Sequence, residues 1–195
     1  MMAEREDLGD LKLYRIPIPV TVASNSQKQI ALLEQPMAKL VRLAVWNQSF
    51  EARVEEGALA EQLLVFENRE KDGLGLPLPA GSFTLYTQRD GQPFLLGEGR
   101  MTDRAVGEKV EVGLDTPSSV RVVQRELSRK DDIRRFEIVA TNDLPEPQRF
   151  EARLDGEGKV DGANGQIVRR DGQWVWATII PANSSRTLRL RYREP

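Results

Sequence analysis

Leu63 to Tyr86, LLVFENREKDGLGLPLPAGSFTLY, decides how the rest of the chain is read. Leu63-Leu64-Val65-Phe66 is apolar on both faces of an extended segment, which suits a strand held between layers better than one facing water. Glu67-Asn68 ends that run. REKDG is turn chemistry, because Gly takes positive φ at little steric cost and Asp bonds its own local backbone. In LGLPLPAG, Pro77 and Pro79 fix their own φ, bias Leu76 and Leu78 toward extended geometry and donate nothing to a ladder. The loop is expected to be stiff, with its leucines turned inward. From Ser82 to Tyr86 alternation resumes, Phe83 and Leu85 on one face and Thr84 and Tyr86 on the other. A phosphate-cradling loop needs a following helix whose first amides face the anion; a β pattern follows here, so the expected role is a corner between sheets.

The same grammar extends in both directions. LKLYRI alternates from Leu11 to Ile16 and PIP punctuates it, after which Ala23 to Ser26 forms a turn cluster and Gln27 to Leu33 places Ile30 and Leu32 on one face. Ala38 to Trp46 reads as a strand. Glu55 to Gln62, rich in Ala, Leu, Glu and Gln, is the one stretch expected to form a helical turn or two. Asp90-Gly91 is a hairpin signal between Thr84-Leu85-Tyr86 and Phe94-Leu95-Leu96. Beyond Pro117, RRFEIVATN turns Phe136, Ile138 and Ala140 inward, and QRFEARL does the same with Phe150, Ala152 and Leu154. WVWATII is expected to be a central strand. SSRTLRLRYRE faces Leu188, Leu190 and Tyr192 in and Arg189, Arg191 and Arg193 out.

The expected fold is therefore all-β, two tandem antiparallel β-sandwich modules at residues 1–117 and 118–195. The second has the size and turn spacing of an immunoglobulin-like domain. Pro117 and the serines after it mark the boundary. An internal echo aligns VTVASNSQKQIALL with TIIPANSSRTLRLR, Asn25 over Asn183 and Ser26 over Ser184, and a weaker one sets FEN at Asn68 beside VATN at Asn142.

The run FENREKDGLGLPLPAGSFTLYTQRDGQPFLLGEGRMTDRAVGEKVEVGL resembles the core of the DUF4139 family, a bacterial domain of unknown function that also forms the C-terminal half of mucoidy-inhibitor-like proteins. Asn68, the segment from Gly75 to Gly81, the Gly97-Glu98 pair before Arg100-Met101, and Gly107-Glu108-Lys109-Val110 carry the likeness. Leu8 to Leu33 is similar to the family's entry segment. The chain departs from the family at Thr116 to Val120, TPSSV, where a short apolar-Asp segment is expected. The resemblance implies an all-β fold and an exported, periplasmic protein; it implies no activity.

Composition bounds the chemistry. The 195 residues contain no His and no Cys, which removes Cys-ligated zinc, iron–sulfur clusters, thiol catalysis, Ser-His-Asp triads and imidazole proton shuttles. Carboxylate, Lys, Tyr, Arg or an oxygen-ligated metal remain. The net charge of −2 implies no polyanion partner for the chain as a whole, yet 15 basic and 12 acidic residues follow Pro117 against 13 and 18 before it. No stretch approaches the roughly 18 apolar residues of a membrane span. MMAEREDLGD is acidic and polar, the reverse of a signal peptide, and the doubled Met suggests an excised C-terminal piece of a longer protein.

Three charged groups are candidate sites. Asp90, Glu98 and Asp103 surround one hairpin and would serve glycoside hydrolysis if two of them converged to about 5–10 Å. Asp155, Glu157 and Asp161, with Asn164, offer oxygen ligands among glycines, though their spacing matches no EF-hand. Arg189, Arg191 and Arg193, with Arg186 and with Arg169-Arg170 expected near them, form a basic stripe that suits an anionic glycan, lipopolysaccharide or nucleic acid, or else, as the favoured reading, protects a sheet edge. No aromatic row accompanies it, so nucleic acid is not expected. Trp174 and Trp176 share parity and suit either sugar stacking or the core. The function expected from all this is a non-catalytic structural or interaction module of a bacterial envelope protein, with a protein or glycan partner, self-association through sheet edges and no cofactor. The alternative is a carboxylate-dependent hydrolase acting on saccharides.

Overall fold

The computed structural model describes residues 4–8, 11–15, 19, 21–27 and 38–195. The strand expected over Gln27 to Leu33 lies outside them except for Gln27. In chain order the strands are β1 (Glu4–Leu8), β2 (Leu11–Arg15), β3 (Val41–Ser49), β4 (Val54–Leu59), β5 (Glu61–Glu67), β6 (Gly81–Arg89), β7 (Gln92–Met101) and β8 (Lys109–Gly113). There follow β9 (Val120–Lys130), β10 (Ile133–Asn142), β11 (Gln148–Asp155), β12 (Lys159–Ala163), β13 (Val168–Arg170), β14 (Gln173–Ile180) and β15 (Ser184–Arg193). Among the described residues one 3-10 turn, Glu70–Asp72, is the whole helical content. The all-β expectation holds.

A five-stranded sheet, β12-β15-β10-β9-β4, packs on a six-stranded sheet, β13-β14-β11-β3-β5-β8, and β1-β2 and β6-β7 are separate hairpins. Period-two alternation builds the layer between the sheets. Val120, Val122, Phe136, Ile138, Ala140, Leu188, Leu190 and Tyr192 come from one, and Ala44, Trp46, Phe150, Ala152, Leu154, Trp176 and Ile180 from the other. Each large apolar side chain buried there contributes about 1.5–3 kcal/mol. Phe50 closes the end of the layer, stacked on Tyr192 with centroids 4.1 Å apart.

Both sheets interleave strands from either side of Pro117, so the expected division at 117/118 is not how the strands pair. β3 lies parallel to β11, and β4 pairs antiparallel with β9. Around the presumed linker, Ala60 N–H donates to Val120 O at 2.9 Å and Ser118 N–H donates to Ala60 O at 3.0 Å. Residues 118–195 do divide into four strands plus three, as an immunoglobulin constant domain does. Their order differs: the seventh strand, β15, takes the place beside the second that the fifth holds in that fold, and β13 takes the seventh's.

The expected helix at Glu55 to Gln62 is two strands. Gly57 sits at φ +81°, β4 shifts register between Val54 and Ala58, and the chain passes from one sheet to the other at buried Ala60. Helix propensity yields here to the pairing partners on either side.

The six-stranded sheet is the wider, and its β5-β8 end is covered instead by β6-β7 and the proline loop. Leu64, Phe66, Leu78, Val110 and Val112 form a second core there, with Leu74, Phe83, Leu85 and Met101 packed on it. Leu74 and Leu78 turn inward as expected, whereas Leu76 is exposed. The loop is a corner leading into β6: Gly75, at φ +83°, donates its N–H to Asn68 Oδ1 at 3.1 Å, and a Cβ on it would meet the Glu70 backbone.

On its other face this sheet is concave. Glu111 on β8 and Arg153 on β11 pair at 2.9 Å although β5 and β3 lie between them. By register Glu111 is level with Val41 and Arg153 with Asn47, so a flat sheet would hold their backbones roughly 25 Å apart. Coiling brings these diagonal corners together. Val45 and Val175 lie buried on that face.

Candidate functional site

Alternation on the two middle strands of the five-stranded sheet fixes the basic stripe. Because Phe136 and Ile138 face in, Arg135 and Glu137 face out; because Leu188, Leu190 and Tyr192 face in, Arg189, Arg191 and Arg193 face out. The register sets Arg135 directly opposite Arg191 and Glu137 opposite Arg189. β15 lies between β12 and β10, so edge protection is not what its arginines provide. Arg186 has the opposite parity, level with Ala140, and leaves the stripe. Arg169 and Arg170 belong to the other sheet, where Arg169 packs over Trp174 and Arg170 pairs with Glu151 at 2.6 Å.

Three carboxylates partly neutralise the stripe. Glu137 accepts from Arg189 Nε at 2.8 Å, and Asp132 from Arg193 at 2.8 Å. Asp161 is the extra residue of a bulge in β12, which places its Oδ1 2.5 Å from Arg191 Nε and its Oδ2 3.5 Å from Arg193. The Arg191 guanidinium, helped by Arg193, holds the Asp161 carboxyl below its ordinary value, against an opposing effect of burial. Arg135 has no such partner among the described residues, nor do Arg121 and Arg125 on the same face of β9. A like-charge pair directly opposite across a ladder costs stability. Arg135 and Arg191 are such a pair, both exposed, in the middle of the sheet.

Between them lies a shallow hollow of about 410 Å³. Leu127 and Ala163 supply its apolar side chains and Arg135, Arg189 and Arg191 its rim, over the strand backbone at Phe136 and Leu190, whose side chains face the core. Leu127 is pushed outward because β9 bulges opposite Arg135 and Phe136, leaving it 53% exposed. Bulges on both flanking strands thus frame the arginines.

The other candidates are dispersed. Asp90 is at the tip of the β6-β7 turn with φ +52°, Glu98 is six residues beyond Gln92 along β7, and Asp103 lies past the far end. Strand rise alone separates Asp90 from Glu98 by roughly 20 Å, beyond the reach of a two-carboxylate mechanism. Asp103 Oδ1 is taken by Ala80 N–H at 2.7 Å. Asp155 and Asp161 are on different sheets: Asp155 accepts from Gln173 at 2.9 Å, Asp161 is held by Arg191, and Glu157 is exposed. Asn164 lies beside the middle of β15, its Oδ1 accepting Arg189 N–H at 2.7 Å and its own N–H donating to Arg189 O at 3.0 Å. No group of three metal-ligating side chains occurs among the described residues. Trp176 is core, and Trp174 packs against it with Nε1 donating to Gly158 O at 3.2 Å.

One charged site went unread in the sequence although its signal was present. Arg134 shares the inward parity of Phe136 and Ile138, and its guanidinium plugs the end of the sandwich at 4% side-chain exposure. Nη2 donates to Glu126 at 2.8 Å and to Phe50 O at 3.0 Å, while Nη1 donates to Glu51 at 2.5 Å. Burial works against its charge, yet Glu126 and Glu51 raise its pKa above the ordinary arginine value.

No family model matches the chain, and no curated protein matches it. Among solved structures it is similar to the folded domain of the Mycobacterium tuberculosis LppM protein, determined by NMR. The identity is 13% over 86% of this chain and 96% of that one, with a TM-score of 0.29.

Proposed function

We propose that the chain is a non-catalytic interaction module of a bacterial envelope protein, exported as members of the DUF4139 family are expected to be, and that it holds an anionic protein or glycan on the outer face of the five-stranded sheet. The observation that carries this reading is the Arg135–Arg191 rung. Arg191 is already paired with Asp161, whereas Arg135 directly opposite it has no carboxylate among the described residues, so the rung carries one guanidinium in excess that an incoming anion would offset. The planar forks of the two arginines suit carboxylate, sulfate or phosphate groups, and a regular sheet holds them at fixed spacing. The hollow beside them adds apolar contact to charge recognition.

The test is a polyanion screen, with heparin as probe and neutral dextran as control. Wild type is expected to be retained on heparin at about 0.15 M salt and released as salt rises, and Arg135→Glu and Arg191→Glu each to abolish retention while the circular dichroism spectrum is unchanged. Equal behaviour of wild type and both variants would retire the face as a site. The hydrolase alternative has no support in the separation of Asp90, Glu98 and Asp103.

Self-association is a second reading with its own observation. The β6-β7 hairpin pairs with no other strand among the described residues, and it exposes Tyr86, Phe94 and Leu95 near its tip. Free edges beside an apolar tip favour edge-to-edge pairing. Light scattering across a concentration series, wild type against Leu95→Lys, distinguishes it from a monomer.

A further inference from the structure

A second charged locality lies on the concave face of the six-stranded sheet, remote from the basic stripe. Arg104, Lys109, Glu111, Arg153, Arg170 and Gln173 line a cleft of about 400 Å³, within the range of small-molecule sites. The remaining lining residue is Asp171, so the lining is polar or charged throughout.

Its back wall is a continuous chain of ion pairs from Lys109 to Arg170. Lys109 Nζ donates to Glu111 at 2.8 Å, Arg153 grips Glu111 with both terminal nitrogens at 2.9 and 3.2 Å, and Arg153 Nε donates to Glu151 at 3.0 Å. Arg170 completes the chain on Glu151 at 3.2 and 2.6 Å. Arg104 stands outside this arrangement. Its Nε is buried and bonds to nothing, and no carboxylate lies within ion-pair distance of it among the described residues. The residue is nevertheless fixed at its root, since Arg104 and Leu78 exchange two backbone hydrogen bonds of 2.9 Å and Leu78 is buried in the second core.

Arg104 has no carboxylate partner among the described residues, and Lys109 has spent one of its three donors on Glu111. Arg104, Lys109, Arg153 and Arg170 also outnumber Glu111, Glu151 and Asp171, leaving one positive charge in excess. What the cleft lacks is an anion with two or three acceptor oxygens. Its carboxylates and Gln173 offer acceptors suited to hydroxyl groups. We infer that the cleft binds a sugar-sized anion, its phosphate or carboxylate on Arg104 and Lys109 and its hydroxyls toward Glu111, Asp171 and Gln173.

The test is amide chemical-shift titration of the whole chain with glucose 6-phosphate, glucuronate, inorganic phosphate and glucose. Either charged sugar is expected to give saturable shifts at Arg104, Lys109, Arg170 and Gln173, glucose none, and Arg104→Met to weaken binding at least tenfold. Lys109→Met is expected to act in the same direction and serves if Arg104→Met fails to fold. Inorganic phosphate shifting the same amides would support the anion contact. The inference is overturned if the charged sugars shift nothing saturably, if glucose binds as well as they do, or if binding survives the variants. It is also overturned if the shifts fall on β10 and β15 and vanish with Arg191→Glu, which would assign the anion to the basic face instead.

Discussion

Asn68 and Asn142 occupy equivalent positions at the ends of β5 and β10, each fully buried and each tying two loops together through one side-chain amide. Asn68 Nδ2 donates to Leu76 O and Ala105 O, both at 2.8 Å, while its Oδ1 accepts Gly75 N–H at 3.1 Å. Asn142 Nδ2 donates to Glu146 O at 2.9 Å and Pro181 O at 3.0 Å, while its Oδ1 accepts Leu144 N–H at 3.0 Å.

Asp has the same shape as Asn but would put an oxygen against two carbonyls, whereas Ala would leave those carbonyls and the loop N–H unpaired. Asn68→Asp and Asn142→Asp are each expected to cost about 2–4 kcal/mol, at least as much as the Ala variants. Urea unfolding at neutral pH measures this. Asp variants as stable as wild type would mean that shape, not donation, matters at these positions.

Glu111 gives the fold a dependence on acid pH. Burial pushes its pKa up, but Arg153 and Lys109 outweigh it and hold the carboxyl at about 2, against 4.5 for the free side chain. Between those values the unfolded chain binds the proton that the folded chain refuses, so stability falls as pH drops through that window. The group is partly solvated, so the loss is on the order of 1–2 kcal/mol. Glu151, held low by Arg170 and Arg153 against its own burial, adds to it in the same direction. Denaturant midpoints from pH 6 to pH 2, wild type against Glu111→Gln, check this: the variant is expected to be less stable at pH 6 and to lose less on acidification.

Arg134 is expected to tolerate no substitution. Removing it strands Glu126 and the Phe50 carbonyl in a poorly solvated site and exposes one end of the core, an effect of about 3–5 kcal/mol. Arg134→Lys should fall well short of rescue, because one ammonium cannot span Glu51, Glu126 and Phe50 O as the planar fork does. A thermal melt of Arg134→Met is expected to drop by roughly 10 °C. A shift within the range of surface substitutions would show that the cluster carries no stability.

The elements that alternation marks were legible. β10, β11 and β15 fall where period two puts them, and Asp90-Gly91 makes its turn with both residues at positive φ. The echo of Asn25 with Asn183 has a physical basis too, since both take positive φ, at +57° and +47°. What pairs with what was hidden. Nothing in VRLAVWNQS announces that β3 lies parallel to β11, because the apolar faces of a strand say what it buries and not which edge it joins. For the same reason Glu111 and Arg153 could not be coupled from sequence. Arg135, by contrast, is legible as the outward neighbour of Phe136, whereas its place opposite Arg191 depends on the β10–β15 register, which alternation does not fix.

Interleaving across Pro117 makes a further prediction about autonomy. Residues 118–195 contain seven strands, but cut out alone they would lose Trp46 and Phe50 from the core and the β3 edge that covers β11. Phe50 stacks on Tyr192, and Trp46 sits opposite Ala152, so the fragment would expose apolar surface where the whole chain is packed. An uncovered apolar strand edge also favours aggregation. Residues 118–195 expressed alone are therefore expected to lack the near-ultraviolet signal and sharp melt of the whole chain, and adding residues 38–117 as a separate peptide to restore both. A cooperative melt of the fragment by itself, within a few degrees of the full chain, would instead return the boundary to Pro117 and reduce the pairing with β3 and β4 to an accessory contact.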